Sequence, residues 1–321
     1  MNFEKLADAR LNAGWLSIEQ AIHSLLSEPV SAIELLHSTY HSLSEMERKL
    51  YLYSPQLVAR IDKEGQLNSA LLFEPPRVPD HRQGLEEGLR VLLTWLVSHE
   101  RVAEAQGWAQ LSRVLMECLP DLDYLDKAAQ VSIFCVGDRT SRYYLNLQSL
   151  QAASRSELLK QVDASDLYNK VYPLSEHEQL SLGGVGIEML PKGFRTKLYL
   201  RGCLSVLIRE AKRVIDEEEL PHPGQIESMG FIRDDMDAEM AIELDSSGAL
   251  RTKWVYFVGR SELGVKCAEH WISRGRHWEK LKKLLTILGG DKSLFALGME
   301  SRAGDDWPRR INVYARKARD F

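Results

Sequence analysis

Two copies of the tripeptide Arg-Thr-Lys, at residues 195–197 and 251–253, each begin the return strand of a predicted β-hairpin. Two further segments, QVSIFCVGDRTSRYYLNL and the C-terminal LFALGMESRAGDDWPRRINVYARK, have the same layout of strand, turn and basic return strand. The basic residue near the start of these return strands recurs at intervals of 53, 56 and 59 residues, at Arg142, Arg195, Arg251 and Arg310. Spacing this regular is typical of an internal repeat, which constrains the fold more than any single motif does.

A fifth hairpin is indicated upstream by PQLVARIDKEGQLNSALLFEPP, in which the alternation along Leu57, Ala59 and Ile61 indicates a strand. Each predicted hairpin has glycine or Asx residues at its centre, which permit the backbone angles of a tight reversal. Between the hairpins the apolar period changes from two to about 3.6, which is typical of amphipathic helices. The predicted helices cover residues 3–27, 31–48, 84–99, 101–118, 153–163, 203–219 and 261–289.

Five hairpins give about ten antiparallel strands, and an open sheet of that size leaves edges that need protection. We therefore predict an α+β fold, a ten-stranded antiparallel β-barrel of five αββα-type repeats with the helices packed outside. A barrel of this width leaves room for a ligand, because eight strands are only just filled by their own side chains. No stretch is long or biased enough to link two domains, so residues 1–321 are expected to form a single domain.

The return strands collect their basic and aromatic residues on one face. Residues two apart in a strand share a face, so Arg195, Lys197 and Tyr199 lie together, opposite Leu198 and Leu200. Because the apolar side must meet the helices, the basic side is expected to line the barrel. The alternative is that the helices lie inside and the charges are solvated. The predicted ligand-binding residues are Arg60, Arg142, Tyr144, Arg195, Lys197, Tyr199, Arg251, Lys253, Arg310, Asn312 and Tyr314.

A cavity lined with cations is costly unless an anion neutralises them. Arg and Lys suit phosphate groups, and tyrosine rings beside them can stabilise a cationic intermediate. Transfer of an allylic group from a diphosphate requires this combination, since pyrophosphate departs as an anion and leaves an allylic cation. The pattern therefore predicts a prenyl diphosphate as co-substrate. Mg²⁺ is possible but not required, because Arg and Lys alone can balance the diphosphate charge.

At these residues the chain resembles the aromatic prenyltransferases of the ABBA, or PT-barrel, fold, from about residue 50 to the end. Lys197-Leu198-Tyr199 matches the Lys-x-Tyr motif of the indole prenyltransferases. Arg251-Thr252-Lys253 matches the start of their Arg-x-Lys-x-Tyr motif, with Val255 in place of the tyrosine. The chain looks most similar to the cyanobactin peptide prenyltransferases, which have one segment similar to residues 186–188 and 197–199 and another similar to residues 295–298 and 311–314. The resemblance implies transfer of a dimethylallyl or geranyl group to a peptide side chain or an aromatic or indole ring, in natural-product biosynthesis.

The resemblance also implies a proton-accepting glutamate on the first strand, where this chain has Gln56. The catalytic candidates are Gln56, Glu188 and Glu243, with Asp62 as a further carboxylate. Glu188 and Glu243 occupy similar positions on their hairpins, and each could instead form an ion pair with a neighbouring Arg or Lys. An electron-rich acceptor ring could also react without a strong base.

An alternative from a different class is a non-catalytic barrel that binds a phosphorylated or polyanionic ligand. The net charge of −5 argues against a general nucleic-acid binder, and no apolar run approaches the roughly 18 residues of a membrane span. The first residues lack a signal-peptide pattern, and the four cysteines form no CxxC pair. We therefore expect a cytoplasmic protein, a monomer or weak dimer, with no metal-ligating residues and with a peptide or aromatic acceptor as its second partner.

Overall fold

The computed structural model describes most of the strands and six α-helices of the chain. The described residues are 3–26, 33–34, 37, 56–62, 64–72, 90, 93–94, 96–118, 132–133, 142–146, 152–162, 164–175, 177–189, 194–216, 220, 235–245, 247–257, 265–266, 268–269, 272, 277–300 and 309–318. Most of the predicted helices at 31–48 and 84–99 lie outside these residues, as do the predicted hairpin turns near residues 137, 192 and 304.

The described helices alternate with hairpins along the chain. The helices are α1 (Phe3–Leu25), α2 (Val102–Cys118), α3 (Ala152–Gln161), α4 (Ser165–Ser175), α5 (Leu204–Ala211) and α6 (Trp278–Leu288). The strands are β1 (Gln56–Asp62), β2 (Leu67–Leu72), β3 (Ser132–Ile133), β4 (Arg142–Asn146), β5 (Leu180–Met189), β6 (Phe194–Cys203), β7 (Asp237–Leu244), β8 (Leu250–Tyr256), β9 (Leu294–Glu300) and β10 (Arg310–Arg316).

These strands form one antiparallel sheet in the order β2-β1-β10-β9-β8-β7-β6-β5-β4-β3. Successive strands pair as hairpins, and each hairpin then pairs with the next one in the chain. The exception is β1, which pairs with β10 over seven residues and so brings the first hairpin beside the last. This pairing puts Arg60 opposite Asn312 and Val58 opposite Tyr314.

The sheet is open, so the predicted closed barrel is wrong. The outer strands β2 and β3 are not paired with each other within the described part of the chain. Closure requires a continuous ladder between the two outer strands, and the described residues of β3, Ser132 and Ile133, pair with β4. Closure was expected because exposed sheet edges are costly, but among the described residues β2 and β3 remain the two edges of the sheet.

The prediction of five equivalent αββα repeats is also wrong. Two described helices, α3 and α4, separate β4 from β5, whereas α5 is the one complete described helix between β6 and β7. Helices α1, α2, α3 and α5 lie within or near their predicted ranges, but α5 ends at Ala211, eight residues before its predicted end. Helix α4 was not predicted. It is short and contains Pro173, which reads as a helix-ending signal in the sequence.

The apolar side of the sheet packs against the helices, as the strand alternation predicted. Leu198, Leu200, Met240, Ile242 and Trp254 point to this side and are almost completely buried in one cluster with the helices. Helices α4 and α5 lie against β6, and α6 lies against β10. Each such side chain contributes about 1.5–3 kcal/mol through removal from water. The helices thereby fix which side of every strand is available for a ligand.

A glycine cap joins the end of β10 to helix α6. Helix α6 ends at Gly289, whose φ of 116° is a conformation that residues with a side chain rarely adopt. The chain leaving β10 packs on this cap, and the amide of Ala318 donates a 2.7 Å hydrogen bond to the carbonyl of Leu288. The cap therefore holds the strand that carries Asn312 and Tyr314.

Substitution of Gly289 by alanine is expected to destabilise the protein through both strain and a steric clash. A Cβ at this position would lie 2.6 Å from the Cβ of Ala318, in addition to the positive φ. We expect the free energy of unfolding in urea to fall by about 2 kcal/mol or more. Gly290→Ala is the matched control, because Gly290 has a φ of 75° with open space around it. Equal losses in the two variants would contradict the predicted clash.

Candidate functional site

The side of the sheet away from the helices carries the polar residues, and we call it the polar face. Antiparallel register places Glu188 opposite Arg195, Lys197 opposite Glu243, and Glu243 opposite Arg251 on this face. Its described side chains include Gln56, Arg60, Tyr144, Glu188, Arg195, Lys197, Tyr199, Arg201, Glu239, Glu243, Arg251, Lys253, Arg310, Asn312 and Tyr314. Arg142 takes the strand position opposite Glu188, but its side chain lies outside the described residues.

Several side chains on the polar face are buried, so other groups cover parts of it. Asn312 is 1% exposed, Glu188 5% and Gln56 7%, although the helices pack on the other side. Tyr144 on β4 also reaches Glu239 on β7 with a hydrogen bond. Three strand spacings, about 14 Å, separate those strands, so the two side chains lean toward each other across β5 and β6. The polar residues therefore converge, although the sheet is not closed.

Two glycines leave space for tyrosine rings to pack close to the backbone on the polar face. A Cβ at Gly186 on β5 would lie 2.9 Å from Cε2 of Tyr199. A Cβ at Gly298 on β9 would lie 3.2 Å from both Cε of Lys253 and Cε2 of Tyr314. Any larger residue at either position would push the ring away from the sheet.

The two tyrosine positions have different neighbours. Tyr199 packs edge-on against Tyr144, with ring centroids 4.9 Å apart and an interplanar angle of 75°. Tyr314 accepts a 3.0 Å hydrogen bond from Nζ of Lys253, which reaches across β9 above Gly298. The same ammonium lies 5.6 Å from the centroid of the Tyr314 ring, within the range of a cation–π contact. The polar face thus contains the Tyr144–Tyr199 ring pair in one place and the Lys253–Tyr314 contact in another.

Carboxylates already neutralise most of the described cations on this face. Nζ of Lys197 lies 2.7 Å from Glu243, whereas the Arg195–Glu188 and Arg310–Glu300 contacts are longer, at 3.8 and 3.5 Å. Arg201 pairs with Asp237 at 3.0 Å. The expectation that an anionic ligand must balance a ring of bare cations is therefore too simple, because the opposite strands supply the counter-charges.

Arg251 is held at the β7–β8 turn by Asp245. The Asp245 carboxylate accepts hydrogen bonds from the hydroxyl and amide of Ser247, from the amide of Ala249 and from Nε of Arg251. These donors, the Ser247 hydroxyl foremost, hold the pKa of Asp245 well below its usual range. The sequence predicted a turn at residues 245–248. It did not show that Asp245 of this turn pairs with Arg251.

Glu239 is the polar-face residue that sequence reasoning missed. Burial raises the pKa of its carboxyl from 4.5 to about 7, even though the cations of Arg201 and Lys253 and the hydrogen bond from Tyr144 each lower it. On β8 its register partner is Val255, which offers no polar atom. Its carboxylate leans across β6, because a Cβ at Gly183 on β5 would lie 3.6 Å from its Oε2.

The signal for Glu239 was present in the strand alternation. Glu239 lies four residues before Glu243 on β7 and therefore on the same face. Taken locally, residues 233–239 instead resemble a solvated acidic loop, because four of the seven are Asp or Glu. If the strand had been predicted to begin at Asp237, Glu239 would have been assigned to the polar face. Strand boundaries depend on pairing between strands, which a sequence does not display.

The structure brings some of the predicted site residues together and separates others. Lys197, Glu243 and Arg251 form one row across β6, β7 and β8. Gln56 lies on β1, four strands from β7, so it is distant from this row. Arg60 takes the position opposite Asn312, and Arg310 lies at the exposed start of β10. The roles predicted for these residues stay predictions.

The described residues contain neither a candidate metal site nor a candidate membrane span. Within that part of the chain, no three His, Cys, Asp or Glu side chains are grouped so that they could hold a metal ion. No helix of the described ranges has the length and apolarity to cross a membrane.

The raised pKa of Glu239 predicts a pH-dependent cost in stability. The unfolded chain releases this proton near pH 4.5, whereas the folded chain keeps it up to about pH 7. Between these values the folded state binds more protons, so its stability falls as pH rises. Relative to Glu239→Gln, the wild-type free energy of unfolding should drop by about 1–3 kcal/mol between pH 4.5 and pH 8.

Urea unfolding of both proteins at several pH values measures this difference. Glu157→Gln, which removes an exposed helix carboxylate outside the polar face, controls for the change in net charge. A wild-type minus Glu239→Gln difference that stays constant across this pH range would contradict the shifted pKa.

Comparisons with known proteins supply no assignment. No protein-family model matches the chain, and no curated protein matches it. A functional assignment therefore depends on the geometry of the polar face and on the strand motifs that lie on it.

Proposed function

We propose that the polar face transfers a dimethylallyl or geranyl group from its diphosphate to a nucleophilic acceptor, which is a peptide side chain or an aromatic ring such as indole. One observation carries the proposal. Lys197, Arg251 and Lys253 lie on the same face of the sheet as the Tyr144–Tyr199 pair and Tyr314. Cations for a leaving diphosphate and aromatic rings for an allylic cation are therefore within reach of one bound molecule.

The chemistry needs both groups at once. The bond between C1 of the prenyl group and the diphosphate oxygen breaks, and both electrons leave with pyrophosphate. Lys197 and Arg251 would stabilise that developing negative charge by charge-assisted hydrogen bonds. The prenyl carbon becomes cationic, and the ring faces of Tyr199 and Tyr314 would stabilise it until the acceptor attacks.

The strand motifs support the same assignment. The Lys-x-Tyr motif lies on β6 and the Arg-x-Lys motif on β8, and all four of their functional side chains point to the polar face. Val255 replaces the tyrosine of the second motif, and its register partner on β9 is Gly298. Because Tyr314 leans over Gly298 to reach Lys253, we infer that Tyr314 supplies the ring at this place.

The reaction is tested by mass spectrometry of acceptor mixtures incubated with dimethylallyl or geranyl diphosphate. The mixtures contain amino acids, indoles and linear and cyclic peptides, with Mg²⁺ in one set and a chelator in the other. We expect one acceptor class to gain a single prenyl unit. Tight binding of the diphosphate without transfer to any acceptor would instead favour the alternative, a non-catalytic site for a phosphorylated or polyanionic ligand.

Lys197→Ala is expected to weaken binding of dimethylallyl diphosphate by about 10- to 100-fold, because it removes one hydrogen bond to a charged group. Isothermal titration calorimetry measures the Kd. Lys160→Ala, an exposed lysine on α3, is the matched control and should bind as the wild type does. Unchanged affinity in Lys197→Ala would remove this lysine from the diphosphate site.

Glu243→Gln is expected to have the opposite effect on binding. Glu243 lies between Lys197 and Arg251 in one row and holds Lys197 at 2.7 Å, so a diphosphate must compete with it for the ammonium. Removing the competing charge should tighten the Kd for the diphosphate by about tenfold, a typical value for one close charge pair. Unchanged affinity together with a large loss of turnover would show that Glu243 acts as the base instead.

A further inference from the structure

We infer that Glu239, hydrogen-bonded to Tyr144, is the catalytic residue that accepts the proton released by the acceptor when the new bond forms. This inference rests on the proposed prenyl transfer and names a residue for the step that the other polar-face carboxylates are poorly placed to perform. It assigns that step to β7, whereas the expected glutamate belongs on the first strand, where this chain has Gln56.

Glu239 differs from Glu243 and Glu188 in its relation to the neighbouring cations. Glu243 contacts Lys197 at 2.7 Å, and Glu188 is buried in register with Arg195. A base in a close ion pair must break that pair to receive a proton. The register partner of Glu239 on β6 is Arg201, whose guanidinium lies 3.0 Å from Asp237 and 4.7 Å from the centroid of the Phe257 ring.

Charged and titratable groups face Glu239 from three other strands. Tyr144 on β4 donates a hydrogen bond to it, and Arg201 on β6 and Lys253 on β8 act on it through their charges. On its own strand, Asp237 and Glu243 share its face at a distance of two and four residues. Burial outweighs the three groups that favour the ionised form, and the pKa of about 7 is close to the value at which a carboxylate transfers protons efficiently at neutral pH.

Glu239 also lies between the two tyrosine positions. Tyr144, its hydrogen-bond donor, packs against Tyr199, and Lys253, which lowers its pKa, is bonded to Tyr314. Glu239 as a whole residue is partly exposed, although its carboxyl end is buried among these side chains. An acceptor stacked beside the tyrosines would therefore present its reacting atom near this carboxylate.

The step balances as follows. The acceptor atom forms a bond to C1 of the prenyl group as the C1–O bond breaks, and pyrophosphate takes the electron pair. The acceptor is then one proton in excess, on a ring carbon or on a heteroatom. The ionised Glu239 takes that proton, which restores the neutral acceptor, and later releases it to water or to pyrophosphate.

Turnover of the wild type should rise with pH through about 7 and level off above it, because Glu239 accepts a proton only when it is ionised. Glu239→Gln should lose this pH dependence and lower kcat by about 100-fold or more, the usual range for a general base. Its Kd for dimethylallyl diphosphate should stay near the wild-type value. Glu157→Gln, which lies outside the polar face, is the matched control for the loss of one carboxylate.

The Tyr144→Phe variant distinguishes a role of Tyr144 in setting the pKa of Glu239 from a purely structural role. The measured quantity is the pH dependence of kcat. This variant keeps the ring beside Tyr199 but removes the hydrogen bond that lowers the pKa of Glu239. The rise of kcat with pH should therefore move to higher pH. A rise that stays in place in Tyr144→Phe would overturn the coupling between the two residues.

The results separate this inference from the proposed function. A wild-type enzyme that transfers no prenyl group to any acceptor would overturn both. An active wild type whose Glu239→Gln variant keeps the same kcat and the same pH profile would overturn only the role of Glu239. Infrared spectroscopy adds a readout besides activity: the protonated carboxyl band that is absent from Glu239→Gln should disappear in the wild type near pH 7, and a midpoint near pH 4.5 would contradict the inference.

Discussion

Everything else in this structure depends on the two-sided character of its strands. Each strand alternates, and antiparallel register aligns the alternation across the sheet, so Leu198 and Ile242 join one apolar layer while Lys197 and Glu243 join the opposite one. A shift of one residue in any ladder would exchange the two sides and bury charge against the helices. The helices that bury the apolar layer are thus the reason that the polar face exists.

Within that constraint, small residues decide the shape of the polar face. Gly186 and Gly298 leave space that the rings of Tyr199 and Tyr314 fill, and the bulge at Gly183 lies beneath the carboxylate of Glu239. Long side chains lean over these positions from neighbouring strands. Asn312 lies opposite Gly298 among them and is 1% exposed.

Charge balance on the polar face distinguishes Glu239 from the other carboxylates. Cross-strand pairs neutralise Lys197, Arg195 and Arg310 and fix their positions at little net energetic gain, since ion pairs that are partly exposed contribute roughly 0–1 kcal/mol. Glu239 differs because Val255 lies opposite it on β8 and burial dominates its electrostatics. A site can therefore contain several carboxylates of which one is suited to accept a proton near neutral pH.

The sequence by itself determined the hairpins and the separation of apolar from polar side chains, because both follow from the period-two pattern and from turn residues. It therefore identified Lys197, Tyr199, Lys253 and Tyr314 as one set. Whether the sheet closes was decided by tertiary structure, since among the described residues β2 pairs with β1 and β3 with β4, but not with each other. The partners of each cation and the pKa of Glu239 were decided there as well, because they depend on which strands are neighbours and on how far the sheet curves. These interactions involve residues as far apart in the chain as Tyr144 and Glu239, and no local sequence pattern encodes them.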